Sequence, residues 1–344
     1  MLTPSRTLGY RTYMRRERLT KLVAVLALVG SQAGCLSQIA AGSTASIVGR
    51  GSVALSRMAD PEFVEAAIPG SAATLESLMI TIPSNEILRL TLTRSYASFG
   101  FGFMVEHMED ALTHDDMERA DHFRARGTAA FLRARTVGFE MMSIWEPDDG
   151  GVEGNRRNLE RWRNYLRNFE RREQGGQLFW TAYAWVNFIN LNKDDPDAVA
   201  DLPFVIALAE RAKDLDHEFN DFAPHALLAG IMAATPPALG GRPDLAMAEL
   251  EYVIQQTRGQ NLMYRVILAR NVAVPMQNRE LFRTQLQLVL DAGDVSEDQR
   301  LSNVLAKRRA RRYLAQIDDL FLPDMPAESA PAGEATAAET PASN

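Results

Sequence analysis

Five histidines and one cysteine are the side chains of this 344-residue chain best suited to metal or nucleophilic chemistry, and their spacing points away from both. His107, His114 and His122 lie seven and eight residues apart among Asp110, Asp115, Asp116 and Asp121. On a helix this puts His107 and His114 on one face but about 10 Å apart along the axis, too far for one metal ion to reach both. His217 and His225 flank Glu218 and Asp221, but not at His-Glu-x-x-His spacing, and Pro224 interrupts the helix. Caps and surface hydrogen bonds are the expected use of these rings. No Gly-x-Ser-x-Gly elbow, phosphate-binding glycine loop or dinucleotide fingerprint occurs. Paired carboxylates are too common in so acidic a chain for any one pair to be singled out. The expectation is a protein with no catalytic residue, no cofactor and no metal.

The cysteine sits in a different kind of signal. Arg15, Arg16, Arg18 and Lys21 precede the apolar run Leu22–Gly30, and Ser31-Gln32-Ala33-Gly34-Cys35 follows. A charged region, a short apolar core and small residues make an export signal. The core is shorter than the roughly 20 residues needed to span a bilayer. The Ala-Gly-Cys ending resembles a bacterial lipobox, although Gln32 stands where leucine is usual. That resemblance implies cleavage after residue 34 and lipidation of Cys35; the other reading is an ordinary signal cut elsewhere, with Cys35 left free. As the only cysteine, Cys35 allows no disulfide within the chain. Residues 1–34 carry six basic and one acidic side chain, so the net −7 of the whole chain becomes −12 without them. Such a chain is repelled by polyphosphate, and nucleic acid is not an expected partner.

The elements that must position any site are helical. From about Leu36 to Phe321 the apolar periodicity is that of helices, with no period-2 alternation bounded by hairpin signals. Asp60-Pro61 reads as an N-cap followed by proline at the first helical position. The segment from Ser84 carries Leu88, Leu92, Tyr96, Phe99 and Phe103 on one face, and Gly100 and Gly102 within it suggest the close approach of a neighbour. Residues 116–145 continue as a helix that stops at Pro147. Residues 178–191 are apolar all round and read as a central core helix. Further helices are expected near 201–214, 224–234, 243–257, 261–273 and 277–291, with a turn at Gly240-Gly241. Ser296 with Gln299 reads as a capping box opening the last helix. The whole is all-α: about eleven helices packed as antiparallel pairs, stacked as a degenerate tetratricopeptide-like α-solenoid in one domain, residues 35–322. The tail 323–344 is rich in Pro, Ala and Glu, cannot bury enough surface to order itself, and reads as disordered.

Two clusters have a double reading. Trp145, Trp162, Trp180 and Trp185 are core aromatics, or some of them, chiefly Trp180 and Trp185, line a ligand cavity. Lys307, Arg308, Arg309, Arg311 and Arg312 form a basic stripe that either pairs with acids of the same chain or meets those of a partner; the net acidity favours the first.

In the C-terminal third the sequence becomes recognisable. One half of the pattern is Arg270-Asn271-Val272-Ala273-Val274-Pro275 with Gln277-Asn278-Arg279-Glu280-Leu281-Phe282. The other is Arg300-Leu301-Ser302-Asn303 with Ala306-Lys307 and Asp318-Asp319-Leu320-Phe321. Upstream stand Leu178-Phe179-Trp180, Ala184-Trp185, Ala207-Leu208, Asp214-Leu215-Asp216, His225 and Gly240-Gly241. Together, over most of residues 60–321, these resemble the TatT family, the T components of tripartite ATP-independent periplasmic (TRAP) transporters. The resemblance implies a periplasmic lipoprotein with hidden tetratricopeptide-like repeats, a partner of the transporter's solute-binding subunit, able to form a homotrimer with cavities or pores. Leu36 after Cys35, where aspartate would retain the protein at the inner membrane, implies the outer membrane. Arg270, Asn271, Gln277, Arg279, Glu280, Phe282, Asn303 and Lys307 are the candidate partner-binding positions; the polar run at 270–280 could equally fix a turn between two helices.

Three functions compete: a non-enzymatic binding protein in solute uptake, a scaffold lipoprotein of envelope assembly, and a periplasmic hydrolase whose site escapes motif reading. The first accounts for the resemblance along the chain. Removing residues 323–344 is expected to leave the melting temperature unchanged; a large drop would show that the tail packs.

Overall fold

The computed structural model describes residues 42–323, apart from 45, 46, 52 and 237–239. The export signal with Cys35 and the tail from 324 onward lie outside the described residues. Among the described residues every regular element from Pro61 on is helical. Helix α1 is Pro61–Thr81 and α2 is Glu86–Phe99, which runs through a π turn, Gly100–Met104, into α3, Val105–Thr113. Next come α4 (Met117–Trp145), α5 (Gly151–Asn155), α6 (Leu159–Leu166), α7 (Gly175–Leu191), α8 (Pro196–Ala200), α9 (Leu202–Leu215) and α10 (Phe219–Ala234). The last are α11 (Pro243–Gln256), α12 (Met263–Ile267) with a π turn at Leu268–Ala273, α13 (Arg279–Asp291), α14 (Arg300–Ala315) and α15 (Ile317–Leu320). This is more than the eleven helices expected, in part because α5, α8 and α15 are segments of four or five residues that periodicity cannot register.

The starts of these helices follow from short polar side chains. Asp60, Asn85, Asp116, Asn158 and Asn278 each accept a hydrogen bond from the backbone N–H three residues on, satisfying one of the free donors of the first turn. The expected capping box at Ser296 is not formed. Helix α14 begins at Arg300, and the Gln299 side chain turns away to donate to Asp221 Oδ2 at 2.5 Å. The segment opening α10 also departs from expectation. Asn220, Asp221 and Phe222 have φ of 48°, 61° and 61°, left-handed conformations that cost about 1–2 kcal/mol per non-glycine residue. The Tyr264 hydroxyl pins the turn by donating to the Asp221 carbonyl at 2.7 Å.

Packing follows chain order. Helix α1 lies on α2, α2 on α4, α4 on α7, α7 on α9, α9 on α10, α10 on α11, and α13 on α14. Helix α7 is central, as its composition leads one to expect: it touches α2, α4, α9 and α10, and twelve of its seventeen residues are buried. Two glycines permit the close approaches. A Cβ on Gly138 of α4 would overlap Thr181 of α7, and one on Gly100 would lie 2.7 Å from the Phe131 ring. The larger core holds Trp162, Trp185, Phe131 and Phe169, all without solvent exposure.

The second core joins early and late helices of the described residues. Val64 and Ile68 of α1 and Phe103 and Met104 of the π turn share one apolar cluster with Phe282, Leu286, Leu305, Ala306 and Ala310 of α13 and α14. Helix α14 accordingly packs on both α1 and α3. Within the larger core, Trp185 donates from Nε1 to Asp201 Oδ2 at 3.0 Å. Trp185→Ala is expected to lower unfolding stability by about 3–5 kcal/mol in urea titration; near-wild-type stability would place the ring outside the core.

Candidate functional site

The polar groups with the most concentrated charge lie where α14 meets α3. Glu106 and Glu109 stand one turn apart on α3, and Arg309, Arg312 and Tyr313 share the facing side of α14. Arg309 Nε donates to Glu106 Oε2 at 2.9 Å, and its Nη2 donates to the Phe101 carbonyl at 2.7 Å. Its guanidinium lies 4.0 Å from the centroid of the Phe101 ring. Arg312 donates to both Glu106 oxygens, at 2.5 and 3.0 Å, and to Glu109 Oε2 at 2.5 Å. The Tyr313 hydroxyl donates to the same Glu109 oxygen at 2.8 Å. Glu106, Arg309 and Tyr313 are buried.

Burial alone would raise the Glu106 carboxyl. Hydrogen bonds from Arg312 and the charges of Arg309 and Arg312 outweigh it and hold the group below the ordinary carboxylate value of 4.5. Burial raises the Tyr313 hydroxyl, and the charge of Glu109 adds to that shift. A carboxylate held anionic by two arginines neither gives nor takes a proton at neutral pH, so this cluster is a clamp and not an acid–base pair.

Of the rest of the basic stripe, Lys307 and Arg308 are engaged within the chain, while Arg311 is exposed and makes no hydrogen bond or ion pair with another described residue. Arg308 pairs with Glu62 at 2.7 Å, and Lys307 donates to the Ala292 carbonyl at 2.5 Å. Outside the stripe, Arg57 pairs with Asp298 at 2.8 Å. Thus Arg308, Arg309 and Arg312 of the 307–312 run bind the chain's own acids, the reading its net charge favoured. Glu106 and Glu109 were not legible as its partners, because they precede it by some 200 residues.

Most of the candidate partner-binding positions fasten turns. Asn303 is buried; it accepts from Leu262 N at 2.9 Å and donates to the Gln260 carbonyl at 2.9 Å. Gln277 accepts from Leu322 N at 2.9 Å, Arg279 pairs with Asp318 at 2.7 Å, and Phe282 meets Phe321 edge-on at 5.1 Å between centroids. Arg270 lies half-buried against the Tyr313 ring, 5.7 Å from its centroid, without an ion pair. Asn271 is half-buried and Glu280 exposed, and neither makes a hydrogen bond or ion pair with another described residue. Trp180 is buried against Phe179 and Tyr183, and Trp185 against Trp162 and Phe139.

Among the described residues no three His, Cys, Asp or Glu side chains converge as a metal site. His107 Nε2 lies 2.9 Å from Glu65, His225 Nδ1 2.5 Å from Glu249, and His114 Nδ1 2.8 Å from the Asp110 carbonyl. No described helix is long and apolar enough to cross a membrane.

Glu106→Gln leaves two guanidiniums short of their counter-charge and is expected to cost about 3–5 kcal/mol in chemical unfolding. Because the Glu106 pKa is depressed on folding, its contribution is fully present above the unfolded value near 4.5 and is lost as pH falls below it. The variant's deficit should therefore shrink in acid; a deficit independent of pH would contradict the clamp.

The comparisons with known proteins cover the same body. The family model of TAtT, the TRAP transporter T-component, matches residues 57–321. An uncharacterized protein of Treponema pallidum (strain Nichols) is 23% identical over 267 residues, spanning 76% of this chain and 81% of that protein. The family match takes in every helix from α1 to α15 and both sides of the α3–α14 clamp, and the chain belongs to the TAtT family, the T-component of TRAP transporters.

Proposed function

We propose that this protein is a non-enzymatic accessory component of a TRAP transporter, which holds the transporter's solute-binding subunit in the periplasm and assists solute uptake. The observation that carries this reading is the match of the T-component family along the whole helical body, residues 57–321. The α3–α14 clamp fits it, since its charged groups are engaged in bonds that join helices. Helix pairs without catalytic groups suit a protein that offers surface, in the manner of degenerate tetratricopeptide-like repeats.

The mature chain begins at Cys35, is lipid-anchored there, and faces the periplasm from the outer membrane. Its docking surface includes Arg270, Asn271 and Glu280, the family positions that form no hydrogen bond or ion pair within the described chain. The other candidate positions keep the turns around that surface in shape. A homotrimer is the assembly this reading expects.

A tagged chain captured from detergent-solubilised envelope should bring down a TRAP solute-binding subunit, identified by mass spectrometry. Glu280→Lys should weaken that capture without changing the melting temperature. Capture of outer-membrane insertion or wall-synthesis machinery instead would favour a scaffold role and contradict the proposal. Cys35→Ser should move the protein from the membrane to the soluble fraction; unchanged fractionation would rule out the lipid anchor.

A further inference from the structure

Away from the α3–α14 clamp, a cleft of about 470 Å³ opens beside α4, with Arg135, Phe139, Ile144, Val152, Glu153 and Arg156 among its lining. Its two lining arginines at the Asp201 end share one carboxylate. Arg156 Nη1 donates to both Asp201 oxygens, at 3.2 and 3.1 Å, and Trp185 Nε1 donates to Oδ2 at 3.0 Å. Arg135 comes no nearer than 3.8 Å to that oxygen, beyond hydrogen-bond reach. Its side chain is only 16% exposed, and its buried Nε has no partner.

Aromatic rings hold both cations in place. The Arg135 guanidinium lies 4.8 Å from the centroid of Phe188 and 5.7 Å from that of Phe139; Arg156 lies 5.6 Å from Phe139 and 5.2 Å from Trp185. Burial disfavours the charged form of Arg135, and the neighbouring Arg156 adds to this, while Asp201 and Glu153 oppose it. The third arginine of the cleft, Arg89, is satisfied by Glu140 at 2.7 Å and by the Pro83 carbonyl.

Arg156 has a structural task, since it ties the segment after α5 to the start of α9 through Asp201. Arg135 has none. A guanidinium with five donors, mostly buried and making no hydrogen bond, costs free energy unless something supplies acceptors. The fork geometry of guanidinium matches a planar oxyanion, and Phe139, Ile144 and Val152 offer an apolar wall beside it. Glu153, exposed and without an ion pair, and Glu140, engaged by Arg89, limit the charge that the cleft accepts.

We propose that this cleft binds a small organic acid carrying one carboxylate, the anion seated against Arg135 and Arg156 and the apolar body against Phe139, Ile144 and Val152. The proposal rests on the cleft alone and not on the transporter reading, so either can fail without the other.

Calorimetric titration of the full chain with benzoate, and with uncharged benzyl alcohol of similar size, tests it. Benzoate should bind saturably and benzyl alcohol should not. Arg135→Gln should weaken benzoate by about tenfold or more, the scale of a lost hydrogen bond to charge, while its circular dichroism stays that of the parent. Glu153→Gln, on the exposed rim, should fold as the parent does and tighten benzoate binding. No benzoate binding at millimolar concentration, equal binding of benzyl alcohol, equal affinity in Arg135→Gln, or no gain in Glu153→Gln would each overturn the proposal.

Discussion

Everything in this architecture depends on the last long helix, α14, meeting α3 across a buried charge. Glu106 is taken out of water and receives hydrogen bonds from Arg309 and Arg312, while Arg309 also holds the carbonyl of Phe101 in the π turn. A buried ion pair is tolerated only when its lone pairs are satisfied, and here both Glu106 oxygens accept. Around it, apolar residues of α1, the π turn, α13 and α14 share one core. Helices packed only on their chain neighbours could fray from either end; joining α14 to α1 and α3 gives both ends a partner.

Much of this was legible in the sequence. The Asp60-Pro61 cap, the all-apolar stretch that became α7 and the helix expected near 243–257 are short-range patterns, and each formed as read. Gly100 signalled a close neighbour because its cost in a helix needs a reason, and that neighbour is Phe131. The features that escaped are those settled by tertiary contact. The Ser296–Gln299 pair has the right residues for a capping box, but Gln299 finds Asp221 instead. The left-handed turn at 220–222 is held by Tyr264, over 40 residues away in sequence. The arginines of α14 were visible as a stripe, but nothing local names Glu106 as their partner.

Family membership and geometry bear on different questions. The family explains what kind of assembly the chain serves, whereas the bonds explain which of its recognisable residues are free to serve it. Asn303, Gln277, Arg279 and Phe282 each fasten a turn or the chain end. The candidate positions therefore include residues that fasten turns alongside residues, such as Glu280, that make no bond to another described residue. The same separation marks Arg135, which contributes no hydrogen bond to the fold, apart from Arg156, which does.

A double-mutant cycle on Glu106→Gln and Arg312→Gln, read by urea unfolding, tests the joined-ends account most directly. The account predicts a single cooperative transition in the parent and a coupling between the two sites of at least about 1 kcal/mol, as residues of one network show. Additive effects, or a separate early transition for the C-terminal helices in the parent, would contradict it.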